Sequence, residues 1–321
     1  LADGRGRALH MLSLAASMQV AVSQAGGYPT AEVTITNETG HKLPSGFPEG
    51  RRMWINVKGY DTGGQVVYES GAYDEATGVL THDEDLKLYH IKPGISTRLG
   101  SLLGVTPGPS FHFVLNDTVY EDNRIPPRGF TNAAFETIQS PVVNYSYADG
   151  QHHDTTVYSL PTNAVEVEVV YYYQSTSKEY IEFLRDENTT DDYGQQLHDS
   201  WVAHGRAAPV AIATELVVLD LTAVDGTPAP ITLLGQNYPN PFNPDTKIKY
   251  SLASDGPVTL SIYDVQGRRV RTLMNEKLPA GMYEIEWNAR DDRGQRVASG
   301  VYYYVLQADG KDLRRKMTLV K

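Results

Sequence analysis

The chain has 321 residues, 40% of them hydrophobic, and its 28 Lys and Arg against 39 Asp and Glu give a formal net charge of −11. That length suits two or three domains with a sizeable core, and no run of about eighteen apolar residues offers a membrane helix. Cysteine is absent, which excludes disulfides, thiolate metal sites, a Cys nucleophile and thioether attachment of haem within these residues.

From the start, Ala8, Leu9, Leu12, Ala15 and Ala16 recur at spacings of three and four, predicting a helix over Arg5 to Ala16. Leu1 to Arg5 lacks the charged start and apolar stretch of a signal peptide, so either processing has removed one or, as is expected, the chain is part of a longer one. Met18 to Ser23 and Val33 to Thr36 alternate about Gly26-Gly27 and predict a hairpin. Asn37 to Trp54, with its glycines and prolines, predicts a long shaped loop. Further strands are expected at Trp54 to Tyr60, Val66 to Tyr68, Leu86 to Ile91, Phe111 to Leu115 and Val165 to Tyr173. Thr176-Ser177-Lys178-Glu179 is a capping box that opens a helix. Asn188 to Asp192 breaks that helix, and Tyr193, Leu197 and Trp201 make a second, stopped by Gly205 and Pro209. Val210 to Leu221 returns to strand. Residues 1–221 therefore form an acidic β-sandwich body with an N-terminal helix and helices near 177–205, and 222–232, rich in Gly and Pro, form a linker.

Past the linker the prolines at 239, 241 and 244 enforce an extended or turning segment. Ile248, Tyr250 and Leu252 then alternate with Lys249 and Ser251, as do Val258, Leu260 and Ile262 with their polar neighbours. A turn at Gln266-Gly267 precedes Tyr283, Ile285 and Trp287, and another at Asp291 to Gly294 precedes Val301, Tyr303 and Val305. About seven short strands in some ninety residues suit an immunoglobulin-like domain over 233–321. The expected class is mostly β: two β-sandwich, immunoglobulin-like domains, the first with peripheral helices. From Leu233 onward there are 14 basic and 10 acidic residues, against 14 and 29 before it. The acidic body argues against nucleic acid as a partner, since phosphate binding depends on Lys and Arg.

Catalytic constellations are lacking: no H-E-x-x-H, no G-x-S-x-G and no phosphate loop occur, so no enzyme is expected. Oxygen donors for calcium are offered by Asp117, Glu121 and Asp122, and by Asp186, Asp191 and Asp192, without EF-hand spacing. Surface loops explain both runs as well. His152-His153-Asp154 offers a transition-metal site or a polar turn.

Two resemblances add to this. The pieces Asn237-Tyr238-Pro239-Asn240-Pro241-Phe242, Ile262 to Val265 with Gly267-Arg268, Ala280-Gly281, Trp287, Val297 to Tyr302 with Gly300, and Lys316-Met317 stand in an order that resembles the C-terminal sorting domain of the type IX secretion system. The resemblance implies export across the outer membrane, so that the secretion machinery is a partner and the location is extracellular or at the cell surface. Ala289 departs from it where Gly is expected after Trp-Asn. The body, through Thr39 to Gly46, Glu49 to Trp54, Tyr68 to Tyr73, Phe111 to Asp117, Arg124 to Asn132 and Ser177 to Asp186, resembles the haem-free C-terminal region of multihaem c-type cytochromes.

The second resemblance implies a non-catalytic accessory region of an extracellular electron-transfer system, packed on a multihaem cytochrome domain or chain. No haem is covalent in this chain, so either the haem-carrying part lies upstream or on another chain, or the role has been lost. In that setting His41, on a Gly/Pro-braced loop, is the preferred haem-ligand candidate, with His90, His112 and His204 at strand or helix ends behind it. Arg51 and Arg52 are candidates for haem propionates; salt bridges to the acidic body are their ordinary use. The alternative is a cell-surface structural or adhesive protein, a polymer subunit pairing in homo-oligomers through tyrosine-rich edge strands.

Overall fold

The computed structural model describes residues 2–25, 27–47, 49–219 and 231–320. Helix α1 (Ala2–Ser13) leads into the hairpin β1 (Ala16–Ala25) and β2 (Tyr28–Asn37). Strands β3 (Arg52–Tyr60), β4 (Val66–Ser70), β5 (Tyr73–Asp74), β6 (Val79–Leu80), β7 (Leu88–Tyr89) and β8 (Ile91–Ile95) follow, then α2 (Thr97–Leu103), β9 (Gly108–Pro109), β10 (Thr118–Asp122) and α3 (Asn132–Thr137). The body closes with β11 (His153–Ser159), β12 (Glu166–Gln174), α4 (Lys178–Glu187), α5 (Tyr193–Ala203) and β13 (Val210–Val218). No described helix is long and apolar enough to cross a membrane.

The fold is mostly β, as expected, and the body is a sandwich. A three-stranded sheet in the order β1-β2-β11 faces a larger one in the order β13-β12-β3-β4, with β7 also paired to β3. Ala31, Val33, Ile35 and Tyr158 from the first meet Ile55, Val57, Val167, Val169 and Tyr171 from the second in one buried core. The register Val20↔Val33 and Val22↔Ala31 keeps the apolar members of the hairpin on one face, the condition that fixes strand register when one face is buried.

Three expectations are corrected. The first helix ends at Ser13, because Ala15 and Ala16 are drawn into the core beside the start of β1. Phe111 to Leu115 is not a strand: turn hydrogen bonds run from Phe113 N to Phe111 O and from Leu115 N to His112 O, and Phe111 packs on Tyr180 and Phe183 of α4 at 5.3 and 5.5 Å between ring centroids. The His152-His153-Asp154 turn is instead the start of β11, where buried Asp154 pairs with Lys87 at 2.7 Å.

The tail comprises β14 (Leu233–Leu234), β15 (Thr246–Leu252), β16 (Gly256–Asp264), β17 (Arg269–Leu278), β18 (Gly281–Trp287), β19 (Gly300–Ala308) and β20 (Lys311–Leu319). Sheets β14-β15-β18 and β17-β16-β19-β20 enclose Phe242, Tyr250, Trp287 and Tyr304. On β19 the buried face is Tyr302, Tyr304 and Leu306 rather than Val301, Tyr303 and Val305. Both faces of that strand are apolar in sequence, so alternation alone does not choose between them. Ala289, the departure from the family pattern, has φ of 51°, in the left-handed region that favours glycine.

Body and tail meet along β12. The expected linker lies outside the described residues except for Ile231 and Thr232, which are both buried. Glu166 Oε1 accepts from Ile231 N at 2.9 Å and Oε2 lies 3.0 Å from Ser251 Oγ. Glu168 accepts from Tyr60 Oη at 2.8 Å, Gln236 N at 2.7 Å and Arg315 Nη2 at 2.8 Å. Lys249 pairs with Glu215, and Asn240 exchanges backbone hydrogen bonds with Ala211 of β13. These contacts tie the two halves together: buried charge crosses the seam, and separating the halves would strand it.

Candidate functional site

One loop, 38–51, carries the chemistry, because it crosses from β2 in one sheet to β3 in the other. Its first half is pinned by Asn37, which is buried at the end of β2. Asn37 Nδ2 donates to His41 O at 2.8 Å, Ile125 O at 2.9 Å and Pro126 O at 3.0 Å. Its Oδ1 accepts from Thr39 N and from Thr39 Oγ1 at 2.8 and 2.7 Å. Leu43 forms a backbone bridge with Ile125. Below it Lys42 Nζ bonds Asp122 at 2.7 Å, and Arg124 bonds the same carboxylate at 2.8 Å.

His41 is exposed on this braced frame, with Nδ1 3.2 Å from Thr39 Oγ1. The Thr39 hydroxyl has a single proton, and two obligate acceptors claim it: Asn37 Oδ1 at 2.7 Å and His41 O at 2.9 Å. The hydroxyl oxygen is therefore left to accept from Nδ1–H, which puts the free lone pair on Nε2. An imidazole oriented through its other nitrogen is the usual state of a ligating histidine. Replacing Asn37 by Asp turns the three-way donor into a carboxylate facing carbonyl oxygens. We expect a loss of roughly 2–4 kcal/mol, from unpaired buried polar groups, read as a lower urea midpoint; unchanged stability would show that other contacts hold the loop.

The second half of the loop lines a cavity of about 410 Å³. It opens where β3 begins and β12 ends, a junction fixed by the pairing Gln174↔Arg52. Arg52, 5% exposed, donates from Nε to Gln174 Oε1 at 2.8 Å and from Nη1 to Glu179 at 3.3 Å, while its Nη2 is buried without a partner. Arg51 Nη1 donates to Ser45 O, and its Nε is likewise unpartnered. Glu49, 4% exposed, has an orphaned Oε2. Burial pushes the Glu179 carboxyl up, but the Arg52 charge and the hydrogen bonds at the start of α4 outweigh it and leave its pKa below the usual value. Ile91, Phe111 and Phe183 supply apolar wall, and His82, His90 and Lys92 complete one side.

The remaining candidates are dispersed. His90 Nε2 lies 3.3 Å from Glu121, and burial holds its pKa below the ordinary value against the pull of that carboxylate. The His112 ring meets Phe183 edge-on at 4.9 Å, and His204 Nδ1 sits 2.7 Å from Ser200 O at the end of α5. Asp117 is occupied by Ser96 N and Oγ, both at 2.7 Å. Asp122 is held between Lys42 and Arg124. Asp191 accepts from Asn188 and from Tyr193 N, and Asp192 is the N-cap residue of α5. The calcium candidates therefore do not converge, and no group of three or more His, Asp or Glu among the described residues is placed to hold a metal ion.

The sorting-motif residues have structural work in the tail. Asn237 N donates to Tyr304 Oη at 2.9 Å and its Nδ2 to Thr246 Oγ1 at 2.9 Å, and Tyr238 Oη donates to Glu284. The bonds preceding Pro239 and Pro241 are cis. Asn240 Oδ1 accepts from Thr318 N, and Phe242 packs at a tilt on Trp287, with ring centroids 5.5 Å apart. Gly267 turns at φ of 76° and Gly300 stands at 155°. Lys316 reaches across the seam to Glu75 of the body. Sequence reasoning missed the cavity because Phe111 was assigned to a strand and because Glu49 gave no signal of burial beyond its place among glycines and arginines.

Among solved structures, the chain is similar to a penta-haem cytochrome c552 from Thermochromatium tepidum, at 16% identity over 67% of this chain and 42% of that one, with a TM-score of 0.42. It thus spans less than half of that protein's length. It is similar to FlgD from P. aeruginosa at 26% identity over 23% of this chain and 58% of that one, with a TM-score of 0.20. A third likeness is to PorZ, a surface component of the type IX secretion system of Porphyromonas gingivalis, at 12% identity over 94% of this chain and 39% of that one, with a TM-score of 0.21. No curated protein matches the chain. Residues 242–312 match the FlgD Ig-like domain family, in keeping with the two-sheet sandwich that those residues build.

Proposed function

We propose that the chain is a non-catalytic accessory region of an extracellular multihaem cytochrome system, exported through its C-terminal domain, and that His41 completes the coordination of a haem carried upstream or on a partner chain. The observation that carries this reading is the His41 loop: an exposed imidazole, with Nδ1 tied to Thr39 and the Nε2 lone pair left free, on a turn that Asn37 pins to the segment at Ile125 and Pro126. Loops of this kind on a rigid sheet are where binding groups are usually presented. The export part rests on the sorting-domain resemblance, whose aromatic residues Phe242, Trp287 and Tyr302 pack in one core of the tail.

The test is optical. Native assembly should show haem absorption, and His41→Ala should convert one low-spin haem to high spin or shift its potential, because the axial ligand sets both. Absence of haem from the assembly would remove the cytochrome reading and favour the structural or adhesive one. A haem spectrum unchanged by the substitution would remove His41 as ligand.

A further inference from the structure

The cavity beside the loop calls for its own account. A buried carboxylate oxygen and a buried guanidinium nitrogen, on residues 4% and 5% exposed, both lack partners and both belong to residues lining the same space. Leaving either group unpaired is costly, and native proteins rarely keep such orphans without a reason. Their signs are opposite, so a simple anion would meet Glu49 unfavourably and a simple cation would meet Arg51 and Arg52 unfavourably. A ligand carrying both charges satisfies both.

The walls define the rest of that ligand. Ile91, Phe111 and Phe183 give an apolar surface, and the two phenyl rings, tilted at 53° with centroids 5.5 Å apart, make it suited to an aromatic or branched apolar group. A volume of about 410 Å³ is at the small end of the ~300–1,000 Å³ of ligand pockets. At the ~30 Å³ that a water-sized group takes in a liquid, it holds on the order of a dozen non-hydrogen atoms.

We propose that this cavity binds a free α-amino acid with an aromatic or branched apolar side chain, its carboxylate taken by the unpaired N–H groups of Arg51 and Arg52 and its ammonium by Glu49. His41 does not line the cavity, so the inference stands apart from the haem reading. Both sites nevertheless hang on the one loop between β2 and β3.

The experiment is calorimetric titration of the full 321-residue chain with four probes: phenylalanine, 3-phenylpropionate, phenethylamine and glycine. The first carries every feature, and each of the others lacks one of them. Phenylalanine should bind, and each deletion should weaken binding by at least about tenfold, the loss of one charge-assisted contact or of the buried side chain. Glu49→Gln, close to isosteric, should weaken phenylalanine by a similar factor while leaving 3-phenylpropionate unaffected. Should that variant fail to fold, the probe series on the parent chain still decides. No binding of phenylalanine at millimolar concentration, or 3-phenylpropionate binding as tightly as phenylalanine, would overturn the proposal.

Discussion

Replacing Arg315 with Met should lower the stability of the chain by about 3 kcal/mol, the lower end of what breaking a buried ion pair costs. Glu168 is only 2% exposed and its carboxylate would stay in the seam with Tyr60 Oη and Gln236 N but without its counter-charge. Burial acts to raise the Glu168 pKa, yet the Arg315 charge and the surrounding donors overcome it and hold the carboxyl below its usual value. Arg315 also donates from Nε to Leu234 O at 2.8 Å, so the change also removes one anchor of β14. Exchanging Glu168 for Leu as well removes the stranded charge and should recover part of the loss. Urea unfolding of the parent, both single variants and the double variant measures the coupling. A cycle with no coupling energy would show that the pair does not hold the halves together.

The other seam glutamate predicts a pH dependence of opposite sense to the usual carboxylate. Ser251 Oγ lies 2.5 Å from Ile231 O, which can only accept, and 3.0 Å from Glu166 Oε2. The serine proton therefore goes to Ile231 O, and Ser251 Oγ is free to accept a proton from a neutral Glu166. Desolvation at this fully buried site pushes the Glu166 pKa up to about 7, against the opposing hydrogen bond from Ile231 N.

Because the folded value is raised above the ordinary 4.5, the contribution of Glu166 is fully present below about pH 4.5 and is lost as pH rises towards 7. The size is ~3 kcal/mol by linkage. Glu166→Gln keeps the neutral shape at every pH. It should therefore flatten the stability profile between about pH 4.5 and 7 and make the variant more stable than the parent at pH 8. Urea midpoints across that range check it. A parent and variant with parallel profiles would mean that Glu166 is ionised in the seam.

Much of the architecture is legible in residue pattern. The hairpin β1–β2, the capped helix α4, the helix α5 and the tail strands β15, β16 and β18 follow from local alternation and caps, although the cap is Ser177, accepting from Tyr180 N, one residue after the Thr176 that opens the expected box. Short strands such as β7 and β9, two residues each, carry no periodicity to detect. In the tail, β17 has no fully buried residue and β20 mixes Arg and Lys with Leu and Met, so neither shows the apolar alternation that marks its neighbours.

The sequence by itself determined a cysteine-free, mostly β chain with an acidic body, a basic immunoglobulin-like tail and a Gly/Pro-rich loop presenting His41, because composition, period and turn chemistry are local properties. Tertiary structure alone decided the rest. On β12, Glu166 and Glu168 alternate with Val167 and Val169, as a strand with one solvent face would, yet the glutamate face is covered by the tail. The cavity likewise joins His82 and residues 49–52, 88–93, 109–111 and 177–183, five segments whose convergence depends on how the sheets stack. Charge burial and cavity shape are set by long-range packing, and local sequence carries no record of what will lie opposite.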